Sequence, residues 1–339
     1  MALNNRLYFA CAAAGFAGLG SQTFTVAHGL TSVSQSCNFN LETFYEIGQL
    51  APYDIWEDVP SCEVSLEKNL DGYPLIYHLA TPGATDSAIN GRCTRQSIMA
   101  MSLFADVVAS ASGTPLNEVQ FSGLYVSSLN YSFPVDGNAT ESVTLVGNSV
   151  AWKAGASAAF TGQLFDNTDT AFAAGGGSGG IQRREDIMYQ GQANITLLPA
   201  DIPGVSSSGT QTSNADGSYP VHLQSITVSA DLGKEEINEL GHRAPYYRYT
   251  SYPIDVTTTF EVICTSGFMT TANVNTSLSN RTIQIVPRDG TKINTGGRNK
   301  LQSVQYGGGG VDGSNATMTF TYTTQNALTI THPLDPSAL

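Results

Sequence analysis

A mainly β chain built from two tandem copies of one unit is what the sequence predicts, and three observations predict it. The first is an internal repeat. Residues 31–53, TSVSQSCNFNLETFYEIGQLAPY, lie without a gap on residues 224–246, QSITVSADLGKEEINELGHRAPY, at an offset of 239 − 46 = 193 residues. Ser32, Ser36, Glu42, Glu46, Gly48, Ala51, Pro52 and Tyr53 match Ser225, Ser229, Glu235, Glu239, Gly241, Ala244, Pro245 and Tyr246. A repeat of that spacing is domain-sized, far longer than a solenoid unit. The second is composition. Charged residues make up 13% of the 339-residue chain, about half the usual share, so Ser, Thr, Asn and Gly must cover the surface, which suits strands and turns. The third is alternation. Val256, Thr258, Phe260 and Val262 alternate with Asp255, Thr257, Thr259 and Glu261, the period of a half-buried strand. The expected layout is a first domain over 1–155, a Gly-rich linker region over 156–185 around AGGGSGG, and a second domain over 186–339.

In chain order, LYFACAAAGFAGLG (7–20) reads as a first strand and small-residue turn, although its length and place also suit a signal-peptide core. Residues 22–37 hold two apolar-rich runs broken by His28-Gly29 and read as strands. Asn38 or Asn40 can cap a short helix over 41–47 that Gly48 ends and Pro52 keeps from resuming. The second copy repeats this grammar with Asp231, a helix over 234–240, Gly241 and Pro245. Residues 59–67 and 253–264 return as strands. In QSIMAMSLFADVV (96–108), Ile98, Met101 and Ala105 fall at helical spacing, but the aligned run TIQIV precedes Pro287, so a strand is expected in both copies. Residues 123–147 form a hairpin with Leu129, Tyr131, Phe133 and Val135 down one arm and Val143 and Leu145 up the other, turning at Asp136-Gly137-Asn138. Its counterpart is 302–317, where Tyr306 meets Tyr131 and four glycines replace SFPV. Residues 161–173 and 204–219 are polar loops, the second long enough to suggest function or disorder.

The net charge is −13, and residues 1–150 carry four basic against thirteen acidic side chains. Such a surface repels a polyanion, which excludes an ordinary nucleic-acid reader but not a wall past which DNA must slide. The five cysteines, Cys11, Cys37, Cys62, Cys93 and Cys264, form no C-x-x-C pair and read as buried thiols in a reducing compartment. The histidines show no metal-ligand spacing, and no nucleophile elbow or phosphate loop is present. No cofactor or metal and no catalytic activity is expected. The carboxylates of 42–71 read as an acidic surface; a glycosidase pair is the weaker alternative. Six N-x-[ST] sequons, from Asn130 to Asn315, are what an Asn- and Thr-rich composition yields. No run reaches the apolar length of a membrane span.

Three features together, RLYFACAAAGF, FNLETFYEIGQLAPYDIW with SCEVSLEKNLDGYPLIYHLA, and IQRRED with LGHRAPYYRY in the second half, resemble a phage tail tube protein. The resemblance covers most of the chain. It implies tail-tube-like β-sandwich or half-barrel domains, each with a short flanking helix and a long hairpin, stacked as rings into a tube. Most members carry one copy and form hexameric rings; a fused pair, as here, implies trimeric rings with pseudo-sixfold symmetry. The implied partners are the chain itself and other tail proteins. The resemblance further implies that DNA crosses the lumen without specific binding and that the location is the virion tail, assembled in the host cytoplasm. A secreted or surface-exposed adhesive β-protein is the competing expectation, resting on residues 7–20, the sequons and the low charge.

The copies have diverged where contacts between subunits are expected. QLAPYDIWED is acidic where HRAPYYRYTS is basic and aromatic. Pro52, Tyr53, Asp54 and Glu57 on one side, and Arg243, Pro245, Tyr246 and Arg248 on the other, are therefore the expected contact loops. Arg183 and Arg184 of IQRRED, the chain's one basic knot, are added to them. Leu129, Tyr131, Phe133, Val143 and Leu145 mark the expected tube hairpin.

Overall fold

The computed structural model describes residues 11–21, 23–105, 113, 115–160, 180–187, 196–202, 205, 206, 208–210, 222–242, 245–263, 278–307 and 316–335. Over these the chain is mainly β. In order, the strands are β1 (Cys11–Gly18), β2 (Thr25–Val26), β3 (Leu30–Asn38), β4 (Leu41–Phe44), β5 (Asp54–Glu57), β6 (Ser61–Asn69), β7 (Ser97–Phe104), β8 (Asn117–Pro134), β9 (Thr140–Gly147) and β10 (Ser149–Ala154). The second half adds β11 (Leu223–Asp231), β12 (Lys234–Ile237), β13 (Tyr247–Thr250), β14 (Asp255–Ile263), β15 (Gln284–Ile285), β16 (Lys292–Asn294), β17 (Lys300–Gly307), β18 (Thr317–Gln325) and β19 (Thr329–Thr331). Three single-turn α-helices, α1 (Ile76–Leu79), α2 (Ile89–Arg92) and α3 (Arg184–Ile187), and a 3-10 turn over Gly155–Ser157 complete the described elements.

Eight strands run side by side, all antiparallel, in the order β3-β6-β9-β8-β11-β14-β18-β17. The first four come from the first half and the last four from the second, in equivalent order. The registers repeat as well. A bulge between Leu30 and Ser32 in the β3/β6 pair recurs between Leu223 and Ser225 in β11/β14. One between Val126 and Ser128 in β8/β9 recurs between Leu301 and Ser303 in β17/β18. The halves join where β8 pairs with β11, with Tyr131 opposite Val228 and Leu129 opposite Ala230.

β8 is long enough to serve two layers. Its second half belongs to the eight-stranded sheet. Its first half pairs with β7 and β10, and β7 pairs on with β1 and β1 with β2. The turn between the halves falls at Gly123, whose φ of +67° lies in the left-handed region. β15, β16 and β19 form a small separate sheet. One contiguous core holds Phe16, Val64, Leu66, Tyr77, Phe121, Leu145, Ile226, Phe260, Ile283 and Phe320. Leu129, Tyr131, Phe133, Val143 and Leu145 all belong to it, so the hairpin's alternating side chains face the interior of the chain's own fold.

The ambiguous 96–108 run is a strand over Ser97–Phe104, buried on both faces, and TIQIV contains β15. Its helical spacing does not prevail because β1 and β8 flank it on both edges. The described part of 7–20 is likewise a strand, with Ala14, Phe16 and Ala17 buried.

The short helices expected over 41–47 and 234–240 are corrected. Both segments open as strands, β4 and β12, which pair with β5 and β13 into matching hairpins. The cap signal is real but serves a turn. Asn38 Oδ1 accepts the Asn40 N–H at 3.1 Å, and Asp231 Oδ1 accepts the Gly233 N–H at 3.0 Å. These two-residue closures are Asx turns that lead the chain from one strand into the next. Gly48 (φ +93°) and Gly241 (φ +91°) are left-handed as expected, but they sit in the hairpin tips. The described helices fall elsewhere, at α1 to α3.

Candidate functional site

Two surfaces stand out: the outward face of the eight-stranded sheet and the two strand edges that bound it. On each strand the residues between the core positions point outward, as the period of two requires. They are Ser65 and Asn69 on β6, Ser142 and Thr144 on β9, Asn130 and Ser132 on β8, and Thr227 and Ser229 on β11. Thr257 and Thr259 on β14 and Thr319 and Thr321 on β18 continue the row. The face is thus a lawn of hydroxyls and amides. The charges set in it are the carboxylates Glu63, Glu67, Asp231, Asp255 and Glu261, against Lys300 at the start of β17. Glu67 pairs with Ser142 and Glu261 with Thr319, the same ladder position in each half. One carboxylate level therefore recurs with the repeat.

Among the described residues the edges are β3 and β17, each hydrogen-bonded on one side only. Exposed edges of natural sheets are usually blunted by charge, proline or brevity. β3 spans nine residues without a charge or a proline, and β17 carries Lys300 alone. β3 occupies the position in its half that β11 occupies in the other, and β17 matches β8. The two open edges are therefore the two partners of the β8/β11 junction, left unpaired at opposite ends of the sheet. Tyr306 on β17 shows the consequence. Its equivalent, Tyr131, is fully buried, whereas Tyr306 is 62% exposed.

The hairpins flank an open groove of about 1120 Å³, lined by Asp54, Ile55, Trp56 and Glu57 from one and Glu236, Asn238 and His242 from the other. Both have the same tip closure, Tyr53 N–H to Phe44 O at 2.7 Å and Tyr246 N–H to Ile237 O at 2.9 Å. Their anchoring differs. β12–β13 is clamped onto the first half. Arg248 donates from Nε and Nη2 to Asn148 Oδ1, at 3.0 and 2.8 Å, and pairs with Glu236. Lys234 donates to the Cys93 carbonyl and lies 5.3 Å from the centre of the Tyr125 ring; burial pulls its amine down to about 8. At the matching positions β4–β5 has Leu41, Thr43 and Ile55, and all eight of its strand residues are exposed.

Pro52, Tyr53, Asp54 and Glu57 thus lie on one hairpin and Pro245, Tyr246 and Arg248 on the other; of these, Asp54 and Glu57 line the groove, and Arg248 pairs with Glu236 and Asn148 of its wall. Arg243 lies outside the described residues. Arg183 and Arg184 are elsewhere, beside the β8–β9 turn. Arg183 bridges to Asn138, and Arg184 reaches Asp136 at 4.0 Å in an exposed pair. Glu63 and Glu67 belong to the acidic run 42–71 read from sequence, but their sharing of one face with Asp231, Asp255 and Glu261, and the open edges, were not singled out, because both depend on which strands are neighbours.

Behind the open face lies a buried polar cluster. Glu141 accepts the N–H groups of Ile76 (2.7 Å) and Tyr77 (3.1 Å) at the start of α1 and the Tyr131 hydroxyl (2.8 Å). Burial pushes its carboxyl up, against the pull of Lys68 and these donors. Burial holds His78 down to about 4 and His332 to about 3, so both rings are neutral at physiological pH. Among the described residues no group of three or more His, Cys, Asp or Glu side chains is arranged to hold a metal ion, and no helix is long and apolar enough to cross a membrane. No protein-family model and no curated protein matches the chain.

Proposed function

We propose that the protein is the structural subunit of a phage-type tail tube, in which copies join edge to edge into closed rings around a DNA-conducting lumen. The β8/β11 junction carries this reading. One chain already contains a complete joint between two equivalent four-stranded units, and it leaves the two halves of a second such joint open at its ends. Repeating the joint between chains pairs β17 of one copy with β3 of the next, antiparallel, with Tyr306 opposite Gln35 and Val304 opposite Cys37. A head-to-tail contact of this kind gives a ring when its rotation closes, and a closed sheet has no edge left to aggregate. Three copies would supply six units, the pseudo-sixfold ring that the tail-tube resemblance implies.

The outward sheet face suits the lumen. Its hydroxyls offer no positive charge to phosphates, and its carboxylates repel them. The β4–β5 hairpin of each copy, exposed along both strands, then has the second half of the neighbouring copy to settle on, where β12–β13 settles on the first half within the chain.

Negative-stain electron microscopy of concentrated protein and of the parent particles tests the reading, with stacked rings as the expected result. Tyr306→Ala should abolish rings while leaving the melting temperature of the isolated subunit unchanged, because the side chain is exposed before assembly. A wild-type protein that stays monomeric at high concentration, with no ring in the particle, would overturn it.

A further inference from the structure

We propose that Cys37 and Cys62 form a cross-strand disulfide that fastens the open edge strand β3 to its sheet when the protein meets an oxidising thiol–disulfide pool. The two residues are directly opposite in the β3/β6 ladder, and their sulfurs are 2.8 Å apart. Opposed residues in an antiparallel pair have Cα atoms about 4.5–5.5 Å apart, inside the roughly 4.4–6.8 Å that a disulfide spans. The bond therefore needs no backbone movement, only an approach of the sulfurs to about 2.05 Å. Packing does not explain the pair. At the equivalent position of the second half, Ala230 lies opposite Val256, both buried. Two thiols stand where the other copy manages with two hydrocarbons, and they join the open edge strand β3 to β6, which is itself paired on its other side with β9.

The order of attack follows from the surroundings. Cys37 is half-buried and within reach of solvent, whereas Cys62 is buried. Burial, reinforced by contact with Cys37, pushes the Cys62 thiol up to about 12. With glutathione disulfide as oxidant, Cys37 loses its proton and attacks one glutathione sulfur, releasing the first glutathione thiolate. Cys62 then gives up its proton and attacks the Cys37 sulfur of the mixed disulfide, releasing the second. Two protein thiols and one glutathione disulfide become one protein disulfide and two glutathiones, and the rate rises with pH as the thiolates form. The bond encloses the whole β4–β5 hairpin in a loop.

The experiment uses the unassembled full chain, so its outcome is independent of ring formation. The protein is incubated with excess glutathione disulfide, denatured and alkylated. Of the five cysteines, three should remain alkylatable. Peptide mapping should show Cys37 joined to Cys62 with the loss of two hydrogens, and amide exchange along β3 should slow. The Cys37→Ala/Cys62→Val chain, which borrows the second half's own pair, should fold and show no oxidant-dependent change in that exchange. Five alkylatable thiols, a glutathione adduct left on Cys37, a bond between other cysteines, or unchanged exchange in β3 after the bond has formed would each overturn the proposal.

Discussion

Glu141 stands opposite Lys68 in the β6/β9 ladder, and both side chains are fully buried. In the second half the same opposed pair is Met318 and Val262. The chain thus contains both solutions to one packing position, an ionic one and an apolar one. Glu141→Met alone takes from Lys68 a nearby carboxylate that favours its charge, although Lys68 keeps its ion pair with Asp71 at 3.0 Å, and should cost about 1–3 kcal/mol, the usual penalty for buried polar groups left without a partner. Lys68→Val/Glu141→Met should recover part of that loss, but not all. Glu141 also holds the N–H groups of Ile76 and Tyr77, and methionine cannot accept them. Urea unfolding of the two single variants and the double variant gives the coupling directly; a double variant as unstable as the sum of the singles would refute it. The buried histidines make a second, pH-linked prediction. His78 and His332 are held neutral down to about 4 and 3 by burial, while in the unfolded chain they titrate near 6.5. Between those values the unfolded state binds protons that the folded state does not, so stability is lost as pH falls through that window. Each ring contributes up to about 1.4 kcal/mol per pH unit. His332 Nδ1 accepts the Leu334 N–H at 3.0 Å, a bond asparagine can keep. His332→Asn should therefore fold and show a shallower acid decline than the wild type in unfolding measured across about pH 4 to 6.

At the scale of elements, the two hairpins share turn chemistry and differ in what holds them. At the positions of the β12–β13 clamp, where Arg248 binds Asn148 and Glu236, β4–β5 has Ile55 and Thr43 in place of Arg248 and Glu236. Of the first hairpin's carboxylates, Glu42, Glu46, Asp54 and Glu57, the last two are exposed at the groove. Asp54→Lys/Glu57→Lys should accordingly leave the melting temperature within a few degrees of wild type and reduce ring yield severalfold in sedimentation or electron microscopy. Undiminished ring yield would remove the hairpin from the contact. These elements also show where sequence was legible. The alternation in 123–147 and 255–262 gave strands with the correct inward faces, because period two survives in any sheet. Asn38 and Asp231 read as helix caps and are turn closures instead, because an oxygen that closes a turn onto the residue two ahead carries the same signature as one that caps a helix. With only four residues each, β4 and β12 were too short for their alternation to decide between the two. The β8/β11 junction was not legible at all, since nothing local to either strand encodes which strand lies beside it.

At the scale of the whole molecule, the repeat turns single residues into levels. Glu67 and Glu261 occupy one ladder position in the two halves and point from the outward face. Rings built through β17 and β3 would place every Glu67 and Glu261 at one height around the lumen, while Glu63, whose counterpart is Thr257, would appear only at alternate units. A duplex carries one negative charge per roughly 1.7 Å of its axis, so such a level repels whichever segment of DNA passes it and leaves no low-energy resting place. Reversing it should create one. Glu67→Lys/Glu261→Lys changes outward residues on strand interiors without touching an edge or a hairpin, so folding and ring formation should persist. The assembled variant should bind duplex DNA where the wild type does not, with an affinity that falls steeply as salt rises, because each phosphate contact releases a condensed counterion. Co-sedimentation of rings with DNA over a salt series measures this. Rings of the variant that ignore DNA at low salt would place these carboxylates on the outside of the tube, and the lumen would then have to be sought on the opposite face of the subunit.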